Sequence, residues 1–374
     1  MSSFLFHGFG NRRFAGVLIA LAVLLGPGGS QHVRADDTVH AGRIEKVVFR
    51  SQHFEIVGNL YLPTAGKSPH PLVIWVSGSG PSIRTVKNAE TIKLVNCFLD
   101  RGVAYFRIDK PGSGDSKGVL HDDSLFAQLS RIVVDAVGTL KKHRQIDPTR
   151  IGLFGSSQAG YIMPLAISRC KDIAFMIGSS CPGENSIKQW NYLLEMQMLC
   201  EGTPPEKAQT SVEMFNLLRC TTEKATFDSA REYFVKNPMI LRSLGYDSSF
   251  AEKARSWWPR MIDLNDESHF DPVVLIEKIH IPLYLVYGGR DRQINPEQAM
   301  FAYRDACLKA GNKRIRIVLL PLSDHNMSLS DGCLSDIESL NKSNNYKLDP
   351  AYLETIKGWV GELVGGGHDR RKAN

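Results

Sequence analysis

Short apolar runs alternate with longer segments of helical periodicity along most of this chain. The apolar runs occupy 47–49, 56–62, 72–76, 103–108, 151–154, 173–177, 283–287 and 315–320. Helical periodicity marks 122–143, 158–169 and 350–364. Strands that are apolar throughout are typical of a parallel sheet buried on both faces, and helices between them supply the cover. The pattern therefore predicts the α/β fold class, with a mostly parallel central sheet.

A stretch at 184–268 interrupts this alternation, because it has almost no strand pattern and many helix formers. It predicts a helical insertion, referred to below as the cap, between two parts of one core, 36–183 and 269–364. Its large apolar side chains are Trp190, Tyr192, Met196, Met198, Phe215, Trp257, Trp258 and Met261. We expect most of them to form the cap's own core.

The first 35 residues have the pattern of a signal peptide. An arginine pair precedes the apolar run 14–25, and small residues stand at minus three and minus one of a cut after Ala35. The apolar run is too short to span a bilayer comfortably. We therefore expect cleavage near Ala35, export to the periplasm or the cell exterior, and no stable membrane anchor.

The hexapeptide 155–160, Gly-Ser-Ser-Gln-Ala-Gly, follows an apolar run and opens a helical segment. A sharp strand-to-helix turn of this kind can present a nucleophilic serine, provided that the residues two before and two after it are small. Ser157 meets this condition with Gly155 and Ala159, whereas Ser156 would have a phenylalanine and a glutamine there. Ser157 is the predicted nucleophile, although a short Gly/Ser string also occurs in ordinary turns.

A base must follow the nucleophile, and four histidines do so. His368 lies in a glycine-rich, charged tail, 365–374, that cannot hold a ring in place. His280 begins a strand-like segment, which is the wrong end of the sheet because sites lie beyond the carboxyl ends of strands. His269 lies in a polar stretch before that strand. His325 remains, in the loop after the run 315–320, where a base is expected.

The acid is expected at the end of the preceding strand, where 283–287 leads into Asp291. Aspartate is also common in turns for structural reasons. Asp324 is the rival, but a carboxylate adjacent in sequence to His325 is poorly placed to accept from Nδ1 of that ring, and we expect it to cap its loop. In the predicted triad Ser157 attacks a carbonyl, His325 transfers the proton, and Asp291 orients the imidazole.

An oxyanion formed in such a reaction needs backbone donors. The N–H of Gln158, directly after the nucleophile, is the first candidate. The second is expected in the glycine-rich loop 77–81, with the N–H of Ser79 favoured and that of Gly78 as the alternative. No phosphate-binding glycine motif is complete in that loop, so a nucleotide site is a poor interpretation.

With these residues, most of the chain after 1–35 resembles the secreted bacterial α/β-hydrolases close to serine aminopeptidase-like and acylaminoacyl-peptidase-like enzymes. The segments that carry the resemblance are 45–49, 58–63, 77–81, 109–118, 155–160, 271–282, 288–291 and 324–326. It implies an α/β-hydrolase fold, a serine hydrolase acting on esters or amides, and a cap that covers the active site at the place of 184–268. Two or three apolar side chains of this cap should line the acyl pocket, with Trp257 and Trp258 as the candidates, since an apolar roof excludes water. It also implies that 109–118 is a structural turn near the active site. Ala159 stands where the family usually has glycine.

Composition adds limits to this interpretation. The formal net charge is only +6, and three arginines of the predicted signal peptide contribute half of it, which gives no support to nucleic-acid binding. The seven cysteines are scattered and odd in number, which indicates at most one or two disulfides; the cap is one place for them, and the spacing does not reveal which cysteines pair. No zinc spacing or cofactor motif occurs, and we expect neither a metal nor a cofactor.

The predicted function is an exported serine hydrolase that cleaves carboxylic esters of small molecules or peptides. An aminopeptidase or acyl-peptidase with the same triad is the alternative. It would need a carboxylate in the cap to hold a substrate amine, and the candidates are Glu184, Glu195, Glu201 and Glu213. An alternative of another class is a binding protein of the same fold that has lost catalysis. Such proteins usually lack the nucleophile or the base, and this chain has both.

Overall fold

The computed structural model describes residues 38–365 except 122–123, 244–248, 258–268, 335–338 and 340–344. The predicted signal peptide, nearly all of the predicted tail, and Trp258 and Met261 lie outside the described residues. In the described ranges, no helix combines the length and the apolar character needed to cross a membrane.

A mixed sheet of eight strands forms the centre of the fold. The strands are β1 (Ala41–Ser51), β2 (Phe54–Pro63), β3 (His70–Val76), β4 (Ala104–Ile108), β5 (Ile146–Ser156), β6 (Ile173–Ser179), β7 (Leu283–Gly288) and β8 (Ile315–Leu320). Their order is β1-β2-β4-β3-β5-β6-β7-β8. The β1–β2 and β2–β4 pairs are antiparallel, and every other pair is parallel. Each strand contains all or, for β4, all but the first residue of one predicted apolar run, so the mostly parallel α/β sheet is confirmed.

Helices cover both faces of this sheet. They are α1 (Ala89–Leu99), α2 (Leu125–Leu140), α3 (Ala159–Arg169), α4 (Ser186–Cys200), α5 (Pro205–Cys220), α6 (Lys224–Lys236), α7 (Pro238–Ser243), α8 (Phe250–Trp257), α9 (Val273–Ile276), α10 (Pro296–Lys309) and α11 (Pro350–Gly365). Helices α2, α3, α9 and α10 pack on one face of the sheet. Helices α1 and α11 pack on the other face. Two apolar layers thus hold the sheet and fix the positions of the loops at its edges.

Local capping explains two helices that periodicity alone did not predict. The Asn88 side chain accepts hydrogen bonds from the second and third N–H groups of α1, and Asn295 accepts from Gln298 at the start of α10. Proline occupies the first position of α10, where its missing N–H costs nothing. Each helix therefore begins where a side chain satisfies backbone donors that would otherwise have no partner.

The described part of 184–268 is helical and has its own core. Helices α4 to α8 pack around buried side chains that include Met198, Phe215, Phe227, Phe234 and Phe250. Met198 and Phe215 were among the residues expected in a cap core. This small core is separate from the two layers that cover the sheet.

One disulfide, Cys200–Cys333, joins the end of α4 to the segment after β8. The expectation of bridges within the cap is wrong in this respect, because Cys333 belongs to the second part of the core. The bridge closes a separation of 133 residues that the cysteine spacing did not reveal. It ties the end of α4 to the chain that follows the predicted base.

Candidate active site

Three of the loops predicted to carry chemistry leave neighbouring parallel strands at the same sheet edge. Ser157 follows β5, Asp291 follows β7, and His325 follows β8, with β6 between the first two strands. The carboxyl ends of parallel strands lie together, and sites in open α/β sheets form there. The fold therefore collects the three residues at one edge, although 168 residues separate the first from the last.

His325 and Asp291 are in direct contact. Nδ1 of His325 lies 2.9 Å from Oδ2 and 3.1 Å from Oδ1 of Asp291. Both residues are buried, with 4% and 2% of their surfaces exposed. Within the described residues, these are the ring's hydrogen bonds, and none joins it to the Ser157 hydroxyl. A buried imidazole with a carboxylate on Nδ1 has its Nε2 available as a base.

Asp291 is held by its own turn. Its Oδ1 accepts the N–H groups of Gln293 and Ile294 at 2.8 Å each. From α4, the hydroxyl of Tyr192 donates to the main-chain oxygen of Asp291, at 2.9 Å. The residue therefore serves as a turn cap and as the partner of His325 at the same time. Sequence reasoning did not identify Tyr192 in this role.

The environment of His325 acts on its pKa in two directions. Burial lowers the pKa, whereas the charge and the hydrogen bond of Asp291 raise it, and the charge of Asp324 adds to the increase. The net effect is a pKa above the ordinary value of 6.5. The carboxylate thus stabilises the imidazolium that a general base forms when it takes a proton.

The loop that carries His325 is fixed on both sides. Asp324 accepts the N–H groups of Asn326 and Ser328 and the hydroxyl of Ser330, so it caps the loop as expected. The hydroxyl of Ser180 donates to the main-chain oxygen of His325 at 3.0 Å. Ser180 is fully buried and has a positive φ of 47°. Its position directly after β6 was the only sequence signal, and it was missed.

The turn at Ser157 is as sharp as the sequence predicts. Ser157 has a φ of 56°, a left-handed conformation that non-glycine residues rarely adopt. Its N–H donates to Ser179 of the neighbouring strand β6, at 3.0 Å. A Cβ added at Gly155 would lie 2.5 Å from Cβ of Ala159 and 2.6 Å from the Val76 oxygen. The bend therefore has room for one methyl group across it, and Ala159 supplies that group.

The two loops expected to supply oxyanion donors each present a candidate N–H group. For Ser79 and Gln158, the structure records no backbone acceptor in the part of the chain that it describes. Gln158 occupies the N-cap position of α3, where the helix dipole is positive, and its side chain makes no capping hydrogen bond there. The candidate donors thus come from the ends of β3 and β5, which are adjacent and parallel. These observations alone do not decide whether the second donor is the N–H of Ser79 or that of Gly78.

The remaining candidates differ in exposure. His269 and His280 are exposed, and β7 begins at Leu283, so His280 lies before the strand that it was expected to begin. Among the carboxylates suggested to bind an amine, Glu201 and Glu213 are exposed. Glu184 is half-buried. Burial raises its pKa, Lys188 lowers it and nearby Asp271 raises it, with a net increase.

The described residues include no cluster of three or more His, Cys, Asp or Glu side chains that could hold a metal ion.

No protein-family model matches the chain. An uncharacterised 31.7 kDa protein of Escherichia coli, from the traX-finO intergenic region, is 22% identical over 244 residues, which cover 64% of this chain and 78% of that protein. Esterase EstD of Thermotoga maritima is 20% identical over 313 residues, or 81% of this chain and 65% of the esterase.

A solved structure supplies the fold comparison. Esterase Pf2001 of Pyrococcus furiosus superposes with a TM-score of 0.52 at 14% identity, covering 87% of this chain and 91% of the esterase. A second crystal form of the same esterase gives a TM-score of 0.51. At this identity the likeness establishes the shared architecture, and it confirms the predicted α/β-hydrolase fold.

Proposed function

We propose that this chain, which belongs to the α/β-hydrolase superfamily by its fold, is an exported serine hydrolase that cleaves carboxylic esters. The observation that carries the proposal is the buried hydrogen bond between His325 and Asp291, at the sheet edge that also carries the strained turn of Ser157. Burying a charge-paired imidazole has a desolvation cost, and groups perturbed in this way cluster at functional sites. The similarity to two esterases supports the reaction class.

In the proposed reaction, Oγ of Ser157 attacks the ester carbonyl carbon while Nε2 of His325 takes its proton. The developing oxyanion is stabilised by the N–H groups of Ser79 and Gln158. The ester bond then breaks, and His325 gives the proton to the departing alcohol, which leaves an acyl-enzyme. Water, deprotonated by His325, hydrolyses this intermediate and restores Ser157. Asp291 keeps the imidazole in the required tautomer throughout.

Amide cleavage by an aminopeptidase or acyl-peptidase is the second candidate. The observation in its favour is Glu184, a half-buried carboxylate at the start of the proposed cap that could attract a substrate amine. Esters remain the better proposal, because EstD and Pf2001, the two relatives of stated activity described above, are esterases. A catalytically inactive binding protein of the same fold is the alternative of another class.

Export is part of the proposal. Residues 1–35 have the pattern of a cleavable signal, and the Cys200–Cys333 disulfide is suited to an oxidising compartment outside the cytoplasm. Expression in a secreting host should therefore yield a chain that begins at or near Asp36. Intact-mass measurement tests this expectation, and an uncut chain in the membrane fraction contradicts it.

A substrate panel tests the activity itself. Purified protein is assayed with p-nitrophenyl esters of increasing acyl length and with aminoacyl and acyl-aminoacyl p-nitroanilides, alongside Ser157→Ala as the inactive control. We expect kcat/KM to be higher for at least one ester than for every amide. The opposite order supports the peptidase alternative. No turnover of either class, together with no labelling by a fluorophosphonate, supports the binding protein.

A further inference from the structure

A buried lysine lies against the loop that is proposed to bind the oxyanion. Lys110 is 5% exposed, and its Nζ donates to the main-chain oxygens of Gly78 at 2.5 Å and Gly80 at 3.0 Å. Within the described residues, these two carbonyl oxygens are the hydrogen-bond partners of the amine, and no carboxylate pairs with it. Asp109, the adjacent acid, is instead engaged by Arg84. The amine therefore serves the loop rather than an ion pair.

The contact to Gly78 has a geometric consequence for Ser79. The carbonyl of Gly78 and the N–H of Ser79 belong to one peptide unit, and the only cis bond among the described residues is Ser68–Pro69. In a planar trans peptide the C=O and N–H bonds point in opposite directions. When Lys110 holds the oxygen of Gly78, the N–H of Ser79 must point away from the lysine. That N–H has no backbone acceptor in the described part of the chain.

The second contact serves a different purpose. The peptide after Gly80 leads into Pro81, which has no N–H, so the bond from Lys110 to the Gly80 oxygen can only anchor the loop. The backbone of Lys110 is itself fixed, because its N–H donates to Ser82 at 2.9 Å. Lys110 thus holds the carbonyl oxygens of the residues before and after Ser79, while its own backbone is hydrogen-bonded to Ser82.

We propose that Lys110 is a positioning residue that aims the N–H of Ser79 at the oxyanion and, by its hydrogen bond to the Gly78 oxygen, polarises that peptide and strengthens the N–H as a donor. The inference rests on the proposed function, since it needs an oxyanion to be formed at Ser157. Preorganised donors act on the transition state and not on the bound substrate. It also distinguishes Ser79 from Gly78, the two donors that the sequence left open.

The burial of this amine fits a specific role. Burial lowers the pKa of Lys110 to about 7, so the site disfavours the charged form. An apolar side chain of similar length would fill the same space without this cost. It would, however, leave two buried carbonyl oxygens without a donor. The lysine is therefore explained by its contacts with the loop and not by packing.

The test uses Lys110→Met, which keeps the length of the side chain and removes its donors, and Lys110→Gln, which keeps neutral donors. Both are compared with wild type and with Lys171→Met, the same change at an exposed lysine before β6. We expect Lys110→Met to lose roughly 10- to 100-fold in kcat with KM changed by less than about threefold. The inhibition constant of an alkylboronic acid, which forms a tetrahedral adduct with the serine, should rise by a similar factor. Lys110→Gln should lie between Lys110→Met and wild type, and Lys171→Met should match wild type.

Several outcomes overturn the inference. A folded Lys110→Met with wild-type kcat and boronic-acid affinity does so, and so does a loss confined to KM. If Lys110→Met does not fold, the same comparison of kcat with KM is made for Lys110→Gln. In addition, wild-type protein labelled with ¹⁵N-serine should show a downfield shift of the Ser79 amide proton on boronic-acid binding, with that signal assigned by its loss in Ser79→Ala. If the Ser79 amide proton does not shift, its N–H does not point at the oxyanion, and the inference is wrong. An active wild type with unaffected variants contradicts only the role of Lys110, whereas an inactive wild type overturns the proposed function as well.

Discussion

Nδ1 of His325 lies 2.9 Å from Oδ2 of Asp291, and both side chains are buried at the sheet edge beyond β7 and β8. The same carboxylate caps its own turn through Oδ1, which accepts two main-chain N–H groups. One side chain therefore does two separable things. Its turn-capping function needs only a carbonyl-type oxygen, whereas its effect on His325 needs an acceptor that cannot donate.

This separation predicts the behaviour of Asp291→Asn. The asparagine Oδ1 can still accept from Gln293 and Ile294, so folding should be preserved. Its NH₂ group faces Nδ1 as a donor and favours the wrong histidine tautomer, which should lower kcat by about 10⁴. Circular dichroism and steady-state kinetics check the two parts. A variant with normal kcat would show that Asp291 is a turn residue only.

The pH profile follows from the pKa of His325. A general base must be neutral, so kcat/KM should fall as the pH drops through that pKa. Because Asp291 raises the pKa, the midpoint of the acidic limb should lie above 6.5, the ordinary value for histidine. In the residual activity of Asp291→Asn the charge is gone while burial remains, and the limb should move to lower pH. A wild-type midpoint below 6.5 would falsify this assignment of the base.

The steric limit at the Ser157 turn predicts that Gly155→Ala is destabilising. The added methyl would lie 2.5 Å from Cβ of Ala159 and 2.6 Å from a main-chain oxygen that cannot move independently. Overpacking of this kind costs about 1–3 kcal/mol, and the shift of the turn should also reduce kcat. Urea unfolding and ester hydrolysis measure the two effects.

Gly138→Ala is the matched control for this change. Gly138 lies in α2, and a Cβ there would meet no atom within 4 Å. Alanine is the better helix former, so this variant should be neutral or gain up to about 1 kcal/mol. If Gly155→Ala is tolerated as well as the control, the steric reason for choosing Ser157 over Ser156 is lost.

The Cys200–Cys333 bridge predicts a redox-dependent stability. It closes a separation of 133 residues, and removing a bridge over a loop of that size typically costs about 2–5 kcal/mol. Reducing agent should therefore lower the Tm of wild type but leave that of Cys200→Ser/Cys333→Ser unchanged. Cys220→Ser, at an exposed free thiol, should behave like wild type. An equal Tm for reduced and oxidised wild type would show that the bridge does not form in solution.

The sequence was sufficient to predict the parallel sheet because its strands carry their apolar character locally, as in 151–154 and 283–287. It also led to His325 and Asp291, because strand ends and chain order restrict where a base and an acid can stand. Their hydrogen bond is a structural observation, and their catalytic roles stay predictions. The fold class needed no contact information, since the alternation of short apolar runs with longer helical segments was enough to predict it.

Contacts between distant segments could not be predicted in this way. Ser180 supports the loop of His325 through a hydrogen bond across 145 positions, and Tyr192 reaches Asp291 across 99. Neither residue belongs to a motif, and a buried serine or a cap tyrosine has no distinctive pattern of its own. The partner of Cys200 was missed for the same reason. Lys110 lay within a recognised turn, but its side-chain direction depends on how that turn packs against 78–82.

The most direct test of the account is to locate the covalent adduct of a fluorophosphonate. Wild-type protein and the two variants Ser157→Ala and Ser156→Ala are treated with the probe, and each adduct is located by tandem mass spectrometry of its peptides. We predict one adduct, on Ser157, in wild type and in Ser156→Ala, and none in Ser157→Ala, whose kcat should fall at least about a thousandfold. An adduct on Ser156, or full activity in Ser157→Ala, would contradict the account, since the turn, its small neighbours and the N–H of Gln158 would then be assigned one residue out of place.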